Sequence, residues 1–278
     1  MTSLQSEGGI THKHSRLSAY RALTQALAPV CAEDAAYEAR LLLEHVGKCK
    51  LHHRDSLELS PAQEQELQAL LVRRKAGEPL QYLLGEWEFY GLPMRVTSDV
   101  LIPRQDSETL VERGIRAAQA GGRILDLCCG SGCIGIAVAK RVENCTLTLS
   151  DISAEALAIA KENAARNAVV AELVQSDLFA NIGGSFDLIL CNPPYLSAAD
   201  MAAMQRELSF EPAQALYGGV DGMDFYRRIA TEYRVHLAPG GTLLLEIGSQ
   251  QADALAALFP GAELFRDFGG NARVLRCR

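Results

Sequence analysis

From Ser107 to Ile247 the chain alternates short apolar runs of β type with helical stretches, and this alternation restricts the fold more than any other feature. The runs at 123–127, 146–150, 171–175, 188–191 and 242–247 read as strands, and 154–167 and 224–237 read as helices. Such an order predicts an α/β fold, a doubly wound and mostly parallel sheet with helices on both faces. Ligands of these sheets sit beyond the carboxyl ends of the strands.

The region before the alternation has a different pattern. Residues 1–15 are polar and read as a flexible tail. Residues 16–80 read as a small helical domain. Leu17, Tyr20, Leu23 and Leu27 share one helix face, with Pro29 expected to end it and Gly47 expected to cap a second helix. Ser60-Pro61-Ala62-Gln63 is a helix-start signal, and Arg73-Arg74-Lys75 reads as the solvated end of that helix, with a partner-docking patch as the alternative. The aromatic and β-branched run around Gly91-Leu92-Pro93 predicts a hairpin, and 81–102 reads as a linker to the sheet domain at 103–278.

Charge and cysteine usage narrow the function classes. Twenty-seven basic against 34 acidic residues leave a net charge of −7, which disfavours extensive nucleic-acid contact. No apolar run is long enough to span a membrane, and the first residues lack the apolar core of a secretory signal. Eight cysteines in a chain with ample apolar material point to free thiols in a reducing cytoplasm. Cys128, Cys129 and Cys133 match no zinc spacing, so no metal is expected.

The first sheet strand runs into Asp126-Leu127-Cys128-Cys129-Gly130-Ser131-Gly132-Cys133-Ile134-Gly135. Glycines there let backbone approach a ligand and turn into a helix. A dinucleotide and a methyl donor compete for this loop. A carboxylate at Asp126 disfavours a pyrophosphate but favours the ammonium and sulfonium of S-adenosyl-L-methionine. Asp151, after the next strand, suits the ribose hydroxyls. Asp177, after the third, either accepts from an adenine amino group while Leu178 packs on the ring, or caps a helix.

The fourth strand is followed at once by Asn192-Pro193-Pro194-Tyr195. Two prolines exclude a helix and hold an extended loop. The Asn192 side-chain carbonyl and the Pro193 backbone carbonyl can accept the two hydrogens of a conjugated NH₂ group, and Tyr195 can pack on its plane. Such acceptors favour the positive charge that the nitrogen gains during methyl transfer. The logic serves glutamine, asparagine, adenine or cytosine equally.

Over about residues 16–278 the sequence resembles the HemK-type release factor glutamine methyltransferases. The matching segments include GEPLQYLLGEWEFYGLPMRV at 77–96, VLIPRQDSETLVE at 100–112, DLCCGSGCIGIAVA at 126–139, CNPPYL at 191–196, FEPAQALYGGVDGMDFYRRI at 210–229 and APGGTLLLEIG at 238–248. Two departures stand out: Gln105 replaces the proline that usually follows the arginine, and no acidic residue immediately precedes Arg273. The resemblance implies a helical substrate-docking domain, a hairpin linker and a seven-stranded methyltransferase sheet. It implies N5-methylation of the glutamine in the Gly-Gly-Gln motif of class-I peptide chain release factors; a monomer is expected, in the cytoplasm that the cysteines point to. It places the donor on Cys128, Cys129, Gly130, Ser131, Gly132, Asp151, Leu178 and Asn192, and Asp126, Ile152 and Asp177 are further expected donor contacts. Substrate falls on Asn192, Pro193, Pro194 and Tyr195, the catalytic segment, with Pro103 and Arg104 beside it. A sister family acting on a ribosomal protein shares the Asn-Pro-Pro-Tyr loop, but the FEP and DFYRRI segments favour the release-factor branch. A nucleic-acid amino-methyltransferase and a non-catalytic binding protein on the same fold are the remaining alternatives.

Overall fold

The computed structural model describes residues 16–50 and 59–278; the expected tail at 1–15 lies outside the described residues, as does the side chain of Leu17. The chain divides into two units, Met1–Leu84 and Gly85–Arg278.

In the first unit, helices Arg16–Cys31, Ala35–Gly47, Pro61–Lys75 and Leu80–Leu84 bury Leu27, Ala39, Leu42, Leu43 and Val46 completely. Each such leucine contributes about 1.5–3 kcal/mol. The start signal at Ser60 forms a reciprocal capping box with Gln63. Three local expectations fail. Pro29 lies inside the last turn of its helix, where its fixed φ suits the helix, and the chain breaks only at Ala32, at φ +30°. Lys48, not Gly47, adopts the left-handed cap, because its N–H reaches the carbonyls of Glu44 and His45 there. Arg74 is no solvated end. It is buried and grips Glu38 with two hydrogen bonds of 2.6 and 2.8 Å.

The second unit opens with β1 (Glu86–Phe89) and β2 (Leu92–Arg95), an antiparallel pair. Its turn is Tyr90-Gly91, both at positive φ, rather than the Gly91–Pro93 stretch. The expected linker at 81–102 is therefore divided. Residues 80–84 are helical, and the hairpin is fastened to the second unit: the Asn163 side chain bonds both the N–H and the carbonyl of Arg95, and Asn167 donates to the Pro93 carbonyl.

β3 (Arg123–Leu127), β4 (Thr146–Asp151), β5 (Ala171–Gln175), β6 (Phe186–Cys191), β7 (Leu237–Glu246), β8 (Glu263–Arg266) and β9 (Ala272–Cys277) form a seven-stranded sheet in the order β5-β4-β3-β6-β7-β9-β8. The first five strands of that order are parallel, and β9 runs antiparallel to both β7 and β8. The reversal of strand order between β3 and β6 opens a crevice at their carboxyl ends. β7 starts earlier than expected, at Leu237, because Ala238–Gly241 stand opposite Asp187 alone before the register resumes at Leu188 and Thr242. Helix Asp224–Glu232 accordingly stops sooner, passing into a 3₁₀ turn at Tyr233–His236.

Alternation along the strands builds two cores. Ile124, Leu188, Leu190 and Leu244 face one side, with Leu110 and Val111 of helix Glu108–Ala117 and Ile134, Ile136 and Val138 of helix Cys133–Ala139. Leu125, Leu127, Ile189, Cys191, Leu243 and Leu245 face the other, with Tyr226, Ile229, Tyr233 and Phe259. No helix among the described residues is long and apolar enough to cross a membrane.

Candidate active site

A cavity of about 260 Å³ lies beyond the carboxyl ends of β3, β4 and β6. Cys128, Cys129, Gly130, Ser131, Asp151, Ile152, Asp177, Leu178, Asn192, Pro194, Pro103 and Arg104 all line it. Twelve positions separated by up to 91 residues thus meet at one place.

Two of these residues are backbone outliers. Cys128 has φ +58° and Leu178 φ +50°, an unfavourable region for side chains of this kind. Strain of this type persists where the surroundings over-determine it, commonly at ligand sites. Gly130 also has a positive φ, and a Cβ built on it would meet nothing within 4 Å. Its open side lets the backbone come close to a ligand.

Asp151 organises one side of the cavity. Its Oδ2 accepts from the Gly130 N–H at 2.8 Å and its Oδ1 from the Ser153 N–H at 3.0 Å. Burial raises its pKa, while the Ser153, Gly130 and Ile152 amides oppose that rise. Carboxylate oxygens hold about four lone-pair sites, so acceptor capacity remains for hydroxyls. Ile152, Leu178 and Ala156 supply apolar surface beside it.

The cavity's cations are already neutralised. Arg104 pairs with the buried Glu211, and Arg228 pairs with Asp177 at 2.9 Å. A pyrophosphate would find no spare positive charge in these two residues. A cationic ligand with a ribose diol and a planar base fits the residues present, and S-adenosylmethionine has that chemistry. Asp177 keeps its place at the cavity, but with its carboxylate engaged by Arg228.

Other expected site residues lie behind the cavity wall. Asp126 is buried, its Oδ2 accepting from the Gly135 N–H at 2.8 Å and its Oδ1 without a partner. Burial pushes its pKa up to about 7, against the Gly135 hydrogen bond. It supports the glycine loop and does not line the cavity, because β3 alternation turns it under helix Cys133–Ala139. Gly132 caps that helix and is also absent from the lining. Pro193 is buried, and Tyr195 packs partly buried against the second core. Burial, with Glu246 nearby, raises the Tyr195 hydroxyl to about 12, so it is a neutral phenol and not a base. Burial likewise raises the Cys129 thiol well above its ordinary value and that of Cys133 to about 12. Protonated thiols are weak nucleophiles.

Sequence reasoning missed the supports of the 192–197 loop. Leu196 donates to the Leu216 carbonyl and accepts from the Gly218 N–H, both at 2.8 Å. Gln251 Nε2 donates to the carbonyls of Tyr195 and Gly222 at 3.1 and 3.2 Å. Ser107 Oγ lies 3.5 Å from Asn192 Nδ2. Glycines 218 and 222 were visible as a cluster, but only their closeness to 194–197 explains them.

Comparison with known proteins matches segments in both units of the chain. Residues 105–219 match the methyltransferase small domain, and 18–85 match the PrmC N-terminal domain. A release factor glutamine methyltransferase of Cereibacter sphaeroides is 40% identical over 273 residues, covering 94% of this chain and 97% of the relative. One from Geobacter sulfurreducens is 41% identical over 223 residues, covering 80% and 78%. A methyltransferase structure from Pyrococcus furiosus shares the fold, with a TM-score of 0.52, 17% identity and coverage of 78% and 97%.

Proposed function

Since this chain belongs to the release factor glutamine methyltransferase family, we propose that it methylates N5 of the glutamine in the Gly-Gly-Gln motif of class-I peptide chain release factors. The chain is a methyltransferase, and S-adenosylmethionine is its cofactor. The observation that carries the substrate reading is Asn192-Pro193-Pro194-Tyr195 following β6 directly, with Asn192 and Pro194 at the cavity.

Bound in the cavity, the cofactor supplies an electrophilic methyl on a sulfonium. Asp151 would hold the ribose hydroxyls, Ile152 and Leu178 would flank the base, and the backbone around Gly130 would face the methionine part. Asn192 would accept one hydrogen of the substrate amide, and the Pro193 carbonyl, now just behind the cavity wall, would accept the other once substrate seats against the loop. An amide nitrogen is a poor nucleophile because its lone pair is delocalised. Acceptors aimed at its hydrogens stabilise the pyramidal, positively charged nitrogen more than the planar one, which lowers the barrier. No group in the loop needs to remove a proton first; it leaves after transfer. The helical unit, with Arg73–Glu78 and Arg74–Glu38 pairs holding its third helix, is assigned to docking of the folded factor.

The test is transfer of labelled methyl to purified release factors, with the modified residue located by mass spectrometry. Asn192→Ala should lose about 10²–10³ in single-turnover rate with the fold intact. A near-normal rate, or label outside the Gly-Gly-Gln glutamine, would refute the assignment.

A further inference from the structure

Asn192 does not stand alone at the end of its strand. Cys191 of β6 lies opposite Leu245 of β7 in a parallel pair, so Asn192 and Glu246 are neighbours one residue on. Leu190 and Leu244 precede them on the face covered by helix Glu108–Ala117, and Ser107 stands at that helix's N-terminus. Glu246 is 1% exposed, and its Oε2 lacks a hydrogen-bond partner of ordinary geometry. Asn192 Nδ2 lies 3.5 Å from Ser107 Oγ, and both side chains sit close enough to the Glu246 carboxyl to favour its charged form. The Tyr226 hydroxyl bonds the Glu246 backbone carbonyl at 3.0 Å and fixes the strand end.

The two ends of an asparagine amide have the same shape, and only their neighbours decide which end points where. A buried carboxylate with spare lone pairs demands donors, because leaving it unsatisfied is costly. We propose that Glu246 and Ser107 are positioning residues that claim the NH₂ of Asn192 and so turn its carbonyl oxygen toward the substrate amide. This rests on the role given to Asn192 above. The reversed amide would set an NH₂ against the substrate NH₂, donor against donor, and lose the stabilisation of the transition state.

The arrangement makes orientation depend on protonation. As a carboxylate, Glu246 is only an acceptor; once protonated, its O–H competes for the Asn192 oxygen and favours the reversed amide. Burial pushes the Glu246 carboxyl up to about 7, against Ser107, Arg273 of β9 and Asn192, while Asp106 raises it further. Tyr195, Tyr226, Cys191 and Cys133 also face its charge, all held neutral by burial at ordinary pH. The Asn192 orientation should therefore be correct above about pH 7 and degrade below it.

The experiment follows three readouts on the full chain from about pH 5.5 to about pH 9: single-turnover rate, donor affinity, and the side-chain ¹⁵N resonance of Asn192 without donor. In the wild type, the rate should fall and the resonance should move as pH drops through about 7. Glu246→Gln should lower the rate about 10- to 100-fold, abolish both pH responses and leave donor affinity within about two-fold. Ser107→Ala should lower the rate about 3- to 10-fold and decides the matter with the wild-type profile if Glu246→Gln does not fold. A Glu246→Gln rate near that of the wild type, or a wild-type Asn192 resonance that does not titrate, overturns the positioning role. Asn192→Ala separates the two claims: if it is crippled while Glu246→Gln is normal, only the positioning role falls. If both are normal, the function of Asn192 falls with it.

Discussion

Replacing Gly218 by alanine would press directly on the backbone of the Asn-Pro-Pro-Tyr loop, to which the chemistry is assigned above. A Cβ at Gly218 would lie 2.7 Å from the Pro194 carbonyl oxygen and 2.7 Å from the Tyr195 Cα, where ordinary contact begins at 3.4 Å. Both neighbours are backbone, so no side chain can swing away. The segment 194–195 must give by about 0.7 Å, or the 216–222 strip must retreat and strain its 2.8 Å bonds to Leu196. Overpacking of this size costs about 1–3 kcal/mol of stability. A misplacement of about 1 Å can cost about 10² in rate, so a shift of this order should lower the single-turnover rate about 10- to 100-fold. Gly218 does not line the cavity, so donor affinity should stay within about two-fold of wild type in a calorimetric titration. Gly183→Ala is the matched control, since a Cβ there meets nothing within 4 Å. A folded Gly218→Ala protein with a wild-type rate would mean that the loop tolerates displacement and that its geometry does not set the barrier.

Asp151→Ala should weaken donor binding by about 1.5–3 kcal/mol in the same titration, since the hydroxyls lose a charged acceptor and the Gly130 and Ser153 amides are released; unchanged affinity would remove Asp151 from the donor site. Arg74→Ala leaves Glu38 buried without its cation and should cost about 3–5 kcal/mol in denaturant unfolding, whereas an apolar replacement of both partners should cost far less. Asp126 has its folded pKa raised to about 7 by burial, so its contribution to stability is complete below the unfolded value and is lost as pH rises through about 7. Wild type should therefore lose stability relative to Asp126→Asn between about pH 4 and about pH 8, and a constant gap in urea unfolding would show that Asp126 does not ionise in that range.

The strands of the sheet were legible because their apolar runs are short and bounded by turn residues. Arg123–Leu127 and Ala171–Gln175 coincide with expectation to the residue. The loop after β3 and the Asn-Pro-Pro-Tyr segment were legible because local chemistry, glycine and paired proline, marks them in the chain itself. What sequence concealed depends on partners far away. Arg74 looked like a charged helix end, but Glu38, 36 positions earlier, draws it into the interior. Asp126 looked like a ligand contact, but strand parity turns it beneath the Gly135 amide. Ser107 and Glu246 carried no signal of their own: one is 85 positions before Asn192 and the other sits at the end of an ordinary apolar strand. Only the pairing of β6 with β7 makes them neighbours.

That pairing also sets which changes of chain length the enzyme can survive. Ala238–Gly241 form an excursion opposite Asp187, upstream of the paired stretch from Thr242 to Leu245. An inserted residue within the excursion can be absorbed there, before the register resumes, and Gly240 has open space around it. An inserted residue between Thr242 and Glu246 would instead exchange the two faces of the strand end and carry the Glu246 carboxylate to the opposite side of the sheet from Ser107. Two sites a few positions apart should thus differ sharply in tolerance to insertion, one adjusting only the length of a turn and the other rewriting the proposed active centre.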